Sequence, residues 1–218
     1  MKRYQIILFD LDGTLTASAR GITNSVAYAL DKFGVKVSDK TTLHKFIGPP
    51  LMESFEEFYH FTREDAKMAV KYYREYYQDK GIFENEVYNG IEELLQNLQT
   101  KEKKLVVATS KPEVFARKIL DYFGLTKYFT YIGGANLDGT RTEKWEVIQH
   151  VLDTCKIEDQ STVIMVGDRE HDVFGAQRVG IDSIGVLFGY GNRKELESAK
   201  ATYIAEQVGD IGRILIGL

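Results

Sequence analysis

The sequence predicts an α/β protein: a doubly wound, mainly parallel sheet with an inserted α-helical domain. Three observations predict it. Short apolar, β-branched runs recur without polar alternation, as strands buried on both faces require. Helical patterns separate those runs, the alternation that builds crossover connections. From about residue 16 to residue 86, only helical patterns occur.

Taken in chain order, Tyr4 to Phe9 (YQIILF) is the first strand candidate. A helical stripe follows, formed by Ile22, Val26, Ala29, Leu30 and Phe33 and closed by Gly34. Leu51 to Tyr59 forms a second helix after Pro49-Pro50, and a third opens with Thr62-x-x-Asp65, a capping-box-like start, and runs to about Lys80. The sheet pattern then resumes. Asn89 to Leu98 sets Ile91, Leu94, Leu95 and Leu98 at helical spacing before the strand candidate Leu105 to Ala108. Glu113 to Phe123 is helical and starts right after Pro112, a good first-turn residue. Thr130 to Ile132, Val163 to Val166 and Ile184 to Leu187 read as further strands, and Glu143 to Leu152 as a helix. The α/β core thus comprises residues 1–15 and 87–218, and the helical insert residues 16–86.

Composition bounds the partners. The 218 residues carry 28 Lys and Arg against 32 Asp and Glu, a net charge of -4 with pI about 5.7. No basic footprint for nucleic acid is present. The one cysteine, Cys155, cannot close an internal disulfide, which fits a reducing compartment. The apolar run Ile6 to Phe9 is too short for a signal-peptide core or a membrane span. These features lead us to expect a cytoplasmic protein, with no nucleic-acid or membrane partner, as a monomer or small homo-oligomer.

The chemistry-bearing residues gather at strand ends. Phe9-Asp10-Leu11-Asp12-Gly13-Thr14 places two carboxylates where the first strand stops, the end of an open α/β sheet where ligands bind. A turn with solvated aspartates, or part of a calcium loop, would look similar, but the EF-hand pattern needs Glu at its twelfth position and Gly21 stands there. Gly167-Asp168-Arg169-Glu170-His171-Asp172 again follows a strand. By itself it reads equally as a helix cap with a first-turn acid. Thr109 and Ser110 end the strand Leu105 to Ala108, and Lys144 opens a helix. Singly, these are an ordinary cap and an ordinary surface charge.

Together they mean more. At about 4 Å and an effective dielectric near 20, each pair of like charges costs roughly 4 kcal/mol. Asp10, Asp12, Asp168 and Asp172 in one place therefore call for a divalent cation, and an all-oxygen ligand set selects a hard one such as Mg²⁺. Lys144, Thr109 and Ser110 add the charge and donors of a phosphoryl clamp.

These residues resemble those of the haloacid dehalogenase-like hydrolases, and the resemblance runs along essentially the whole chain. Asp10-x-Asp12-Gly13-Thr14 is similar to the family's first motif, Thr109 to its second, Lys144 to its third and Gly167-Asp168-x-x-x-Asp172 to its fourth. The helical insert resembles the helical-cap subclass. Thr-Ser-Lys-Pro at 109–112 and Phe-Ile-Gly-Pro-Pro-Leu at 46–51 look most like the phosphoglycolate phosphatase and 5′-nucleotidase branch. Two departures stand out: Trp145 follows Lys144 where many relatives have proline, and Arg169, Glu170 and His171 fill the fourth motif.

The resemblance implies a phosphoric monoester hydrolase acting on a small phosphorylated metabolite. Asp10 is then the nucleophile and Asp12 the acid and base. Asp10, Asp168 and the backbone carbonyl of Asp12 ligate Mg²⁺, with Asp172 behind them. Thr109, Ser110 and Lys144 bind the phosphoryl group. Arg20 and the Gly48-Pro49-Pro50 turn are expected to help read the leaving group. Tyr72, Tyr73, Tyr76 and Tyr77 form an aromatic stripe of a kind that usually packs, with stacking on a nucleobase as the other reading. Alternatives to a phosphoglycolate phosphatase-like enzyme are a 5′-nucleotidase, a β-phosphoglucomutase-like phosphomutase and a non-catalytic binding protein. A binding module has no need of both Asp10 and Asp12.

Overall fold

The computed structural model describes residues 4–217; the basic start at residues 1–3 lies outside them. The chain divides into two compact units. One holds the chain up to Thr16 and from Val87 onward, the other Ala17–Glu86. The chain leaves the first unit after Thr16 and returns at Val87, and these two residues form an antiparallel bridge. One step on, the Ala17 N–H donates to the Glu86 carbonyl at 2.7 Å.

The first unit opens with β1 (Ile6–Phe9). The second holds three α-helices, α1 (Ala19–Asp31), α2 (Leu51–Tyr59) and α3 (Arg63–Asp79), with α3 packed on both others. The Thr62 hydroxyl caps α3 by accepting from the Asp65 N–H at 3.1 Å. Gly34 takes φ +76 beyond α1, a backbone state that glycine adopts freely. Aromatic rings fill this unit. Phe46 meets Phe55 at 5.0 Å, and Phe33 meets Phe61 at 4.7 Å. The tyrosine stripe of α3 belongs to this packing. Tyr73 and Tyr77 are buried and stacked on each other, Tyr72 meets Phe33, and Tyr76 meets Tyr28 and donates to Glu84.

Back in the first unit, the chain forms α4 (Ile91–Thr100), β2 (Lys104–Pro112), α5 (Glu113–Tyr122), β3 (Tyr131–Ala135), α6 (Lys144–Thr154), β4 (Val163–Gly167), α7 (Glu170–Arg178), β5 (Asp182–Val186), α8 (Arg193–Ser198), β6 (Tyr203–Ala205) and α9 (Val208–Ile216). The strands form one parallel sheet in the order β3-β2-β1-β4-β5-β6. Phe9, the last residue of β1, pairs with Val107 on one side and Val166 on the other, so β1 ends between two strands in register with it. Between β1 and β4 the strand order reverses, the position where α/β sheets open a crevice for ligands.

Alternation across the strands builds two layers. Leu8, Val106 and Met165 face Val147, Ile148, Val151 and Ala176 from α6 and α7. The intervening Ile7, Phe9, Val107 and Val166 are also buried, which is why the strands read as unbroken apolar runs. The structure extends the sequence reading in two places. β3 continues through Gly133 and Gly134, which look like a loop in sequence but are small for packing. A Cβ on Gly133 would come 2.5 Å from Val151 Cγ2, and one on Gly134 2.6 Å from the Lys111 carbonyl. β6, only three residues long, and helix α9 complete the far side of the sheet.

At the β3 edge, outward carbonyls are covered. Arg117 Nη2 donates to the Ile132 carbonyl at 3.0 Å and Arg141 Nε to the Gly134 carbonyl at 2.9 Å. Glu113 pairs with both guanidinium groups, at 3.0 and 3.9 Å. Among the described residues, no helix is long and apolar enough to cross a membrane.

Candidate active site

Asp10 follows the last residue of β1, and its N–H continues the sheet ladder to the Val166 carbonyl at 2.9 Å. Its buried carboxylate is therefore fixed by strand geometry at the crevice. Lys144, the first residue of α6, reaches the same point. Its Nζ lies 2.6 Å from Asp10 Oδ1, 2.8 Å from Asp172 Oδ1 and 3.2 Å from the Ala108 carbonyl. The lysine stem passes over Gly175 of α7, where a Cβ would lie 2.7 Å from Lys144 Cγ.

Asp168 leaves the end of β4 and is fully buried. Its Oδ2 accepts from the Tyr190 N–H at 2.7 Å, while its Oδ1 is buried with no hydrogen-bond partner. Glycines make room for it. Gly13 sits at φ +88, and a Cβ there would fall 2.2 Å from Asp168 Oδ2. A Cβ on Gly189 would fall 2.3 Å from Asp168 Cβ. Asp10, Asp168 and Asp172 each bring an oxygen within 4.8 Å of the others.

The Asp12 side chain turns elsewhere. Its Oδ2 lies 2.5 Å from the Nζ of Lys111, near the end of β2, with both side chains largely shielded. Thr109 is buried, and its Oγ1 accepts from the Lys111 N–H at 3.3 Å. Ser110 is half-buried in the irregular last part of β2, where the register with β3 shifts.

Of the seven residues expected from sequence, the structure brings Asp10, Lys144, Asp168 and Asp172 into one connected cluster. It joins Asp12 and Thr109 to a lysine the motif reading gave no role. Lys111 carried a signal: it lies two residues beyond Thr109, on the same side of an extended strand. Gly175, Gly189 and the Tyr190 N–H were also missed, since none bears a reactive side chain. Arg20 is exposed on α1 and belongs to the helical unit.

Electrostatics show the strain of concentrating acids here. Burial above all pushes the Asp10 carboxyl up to about 6, against the pull of Lys144 and with a further push from Asp172. Burial, then Asp172 and Asp10, holds Asp168 well above the usual carboxylate range. Burial works against the Lys144 ammonium, but Asp10 and Asp172 outweigh it and raise its pKa. Four carboxylates face two ammonium groups, a formal excess of two negative charges.

A family model described as haloacid dehalogenase-like hydrolase matches residues 7–186. This chain belongs to that family. A 5′-nucleotidase of Pseudomonas aeruginosa is 44% identical over 98% of this chain and 96% of its own length. The tyrosine-protein kinase PtkA of Mycobacterium tuberculosis is 40% identical over 92% of this chain and 68% of its own. A phosphoglycolate phosphatase of Aquifex aeolicus is 31% identical over 85% of this chain and 86% of its own. The crystal structure of a predicted phosphatase from Clostridium acetobutylicum superposes with TM-score 0.96, at 48% identity, over 99% of this chain and 100% of that one. Within the haloacid dehalogenase-like hydrolases, this chain is a phosphatase.

Proposed function

We propose that this phosphatase hydrolyses small phosphomonoesters, nucleoside 5′-monophosphates first among them, through an aspartyl-phosphate on Asp10 and with Mg²⁺ as cofactor. One observation carries the reading: a buried carboxylate at the end of the central strand, clamped by Lys144 and facing Asp168, whose Oδ1 has no partner. The donor set fits a hard divalent cation, because it is all oxygen and carries a formal excess of two negative charges. Asp10 and Asp168 would hold the ion, with the Asp12 carbonyl, and Asp172 would stand behind them. Bound there, Mg²⁺ supplies the positive charge that lets neighbouring carboxylates ionise together and offsets phosphoryl oxygens.

The chain's own residues do the rest. An Asp10 oxygen forms the bond to phosphorus as the bond to the leaving oxygen breaks. The leaving oxygen keeps that electron pair and takes a proton from Asp12. Asp12 then accepts a proton from the water whose oxygen attacks phosphorus, and the bond to Asp10 breaks to release inorganic phosphate. Lys144 orients Asp10 and offsets its charge, and Thr109 and Ser110 donate to phosphoryl oxygens.

The 44% identity to a 5′-nucleotidase over nearly both whole lengths supports nucleoside monophosphates ahead of phosphoglycolate, whose named relative stands at 31%. A ranking of kcat/KM over nucleoside monophosphates, phosphoglycolate, sugar phosphates and a phosphotyrosine peptide tests this. A nucleotide is expected at the top, and phosphoglycolate leading by tenfold would overturn the choice. Asp10→Asn is expected to lose about a thousandfold or more in kcat on every substrate. The identity to PtkA favours a second reading, phosphoryl transfer to tyrosine. Incubation with γ-labelled ATP tests the second reading: stable label on tyrosine would support it, and a phosphomonoester hydrolase is expected to leave none.

A further inference from the structure

The two aspartates of the first motif each have their own lysine. Lys144 reaches Asp10 from α6, and Lys111 reaches Asp12 from the end of β2. The second pair is well shielded, with side-chain exposures of 6% for Lys111 and 13% for Asp12. It is therefore not a solvent-screened surface pair of negligible worth. Asp12 Oδ2 accepts from Lys111 at 2.5 Å, and Asp12 Oδ1 is buried with no hydrogen-bond partner.

We propose that Lys111 is the positioning residue for the acid–base carboxylate, deciding which Asp12 oxygen carries the transferred proton and keeping that side chain out of the Asp10–Asp168–Asp172 triangle. The inference rests on the acid–base role given to Asp12 above. An ammonium group has only donors to offer, so the oxygen that faces it must present a lone pair. A proton on Asp12 therefore sits on Oδ1, the oxygen that no protein group engages. Lys111 also draws the Asp12 carboxylate away from the cluster that Asp10, Asp168 and Asp172 form, leaving it free for proton transfer. The irregular end of β2 makes this possible. Thr109 Oγ1 accepts from the Lys111 N–H, so the residue offered to the phosphoryl group and the residue holding the acid share one short segment.

In the step affected, the bond from phosphorus to the leaving oxygen breaks, and its electron pair stays on that oxygen. The oxygen takes the proton from Asp12 Oδ1, and Asp12 is left as a carboxylate beside Lys111. An aryl leaving group such as p-nitrophenolate departs without that proton, whereas an alkoxide does not. The parameter kcat/KM covers events up to alcohol release, so hydrolysis of the aspartyl-phosphate does not enter it.

The test compares kcat/KM for p-nitrophenyl phosphate and for glycerol 2-phosphate in wild type, Lys111→Met and Asp12→Asn, at saturating Mg²⁺. Lys111→Met is expected to lower the alkyl-to-aryl ratio by about a hundredfold, the scale of general acid catalysis. Asp12→Asn is expected to lower it at least as far. An unchanged ratio in Lys111→Met, whether activity falls equally on both substrates or on neither, overturns the proposal. If Asp12→Asn lowers the ratio and Lys111→Met does not, only the role of Lys111 fails. If neither lowers it, the acid–base reading of Asp12 fails as well. Lys111→Gln provides the same comparison should the methionine variant not fold, and Lys111→Arg, which restores a cationic donor, is expected to recover part of the ratio.

Discussion

Asp10 is held where a carboxylate is least at ease, and that has a measurable sign. Burial lifts its pKa to about 6, against roughly 4 in an unfolded chain. Between those values the folded chain keeps a proton that the unfolded chain has lost. The contribution of this group to stability therefore falls as pH rises through the window, by up to about 3 kcal/mol. In EDTA, Asp10→Asn is expected to be more stable than wild type at pH 7, with the gap closing toward pH 4. Denaturant melts of both proteins across that range measure it, and a gap that widens on acidification would contradict it. A second residue-scale expectation concerns Gly175. A methyl group there meets the Lys144 stem at 2.7 Å, so Gly175→Ala should displace the ammonium from Asp10 and Asp172. A displacement of that size should cost about ten- to a hundredfold in kcat, and the added contacts at 3.0 Å with Lys144 Cβ and 3.1 Å with the Trp145 backbone nitrogen should lower Tm by a few degrees. Residue identities at the strand ends were legible in sequence because chemistry requires carboxylates and a lysine at fixed spacing. Lys111 was passed over although it stands two residues beyond Thr109, because a lysine just past an apolar run usually points to solvent, whereas the fold shields it against Asp12.

At the scale of elements, β3 is an edge strand whose open carbonyls would otherwise template pairing with another chain. Arg117 and Arg141 occupy two of them, and Glu113 holds both guanidinium groups in place. The double variant Arg117→Ala with Arg141→Ala is expected to self-associate in a concentration-dependent way. Sedimentation velocity across a hundredfold concentration range would show it, and a sedimentation profile matching wild type would count against this role. The central strands were readable because β1, β2 and β4 are buried on both faces and apolar throughout. β6 was not, since three residues give no period to detect. The end of β3 was hidden by Gly133-Gly134, which have weak strand preference and are there because neighbouring atoms leave no room for a side chain.

For the whole molecule, a cation that binds only the folded chain adds stability by mass action. At a hundred times its dissociation constant that amounts to about 2.7 kcal/mol. For a chain of 218 residues this corresponds to roughly 5–10 °C in Tm. Mg²⁺ is expected to raise Tm by that order at pH 7 and by much less at pH 5, where protons compete for Asp10 and Asp168. Scanning calorimetry with and without EDTA measures both, and an equal shift at the two pH values would exclude these carboxylates as the ligands. The break in strand alternation after β1 was enough to suggest a helical excursion, since no strand pattern competes there. Its mouth has a consequence of its own. Thr16 and Val87 are bridged, and Ala17 and Glu86 bond one step further on. To the sheet, everything from 17 to 86 is a hairpin turn, closed at its neck whatever its length. Loop-closure entropy grows only slowly with length, so this neck is a socket at which helical segments of very different size can be exchanged without disturbing the register of β1.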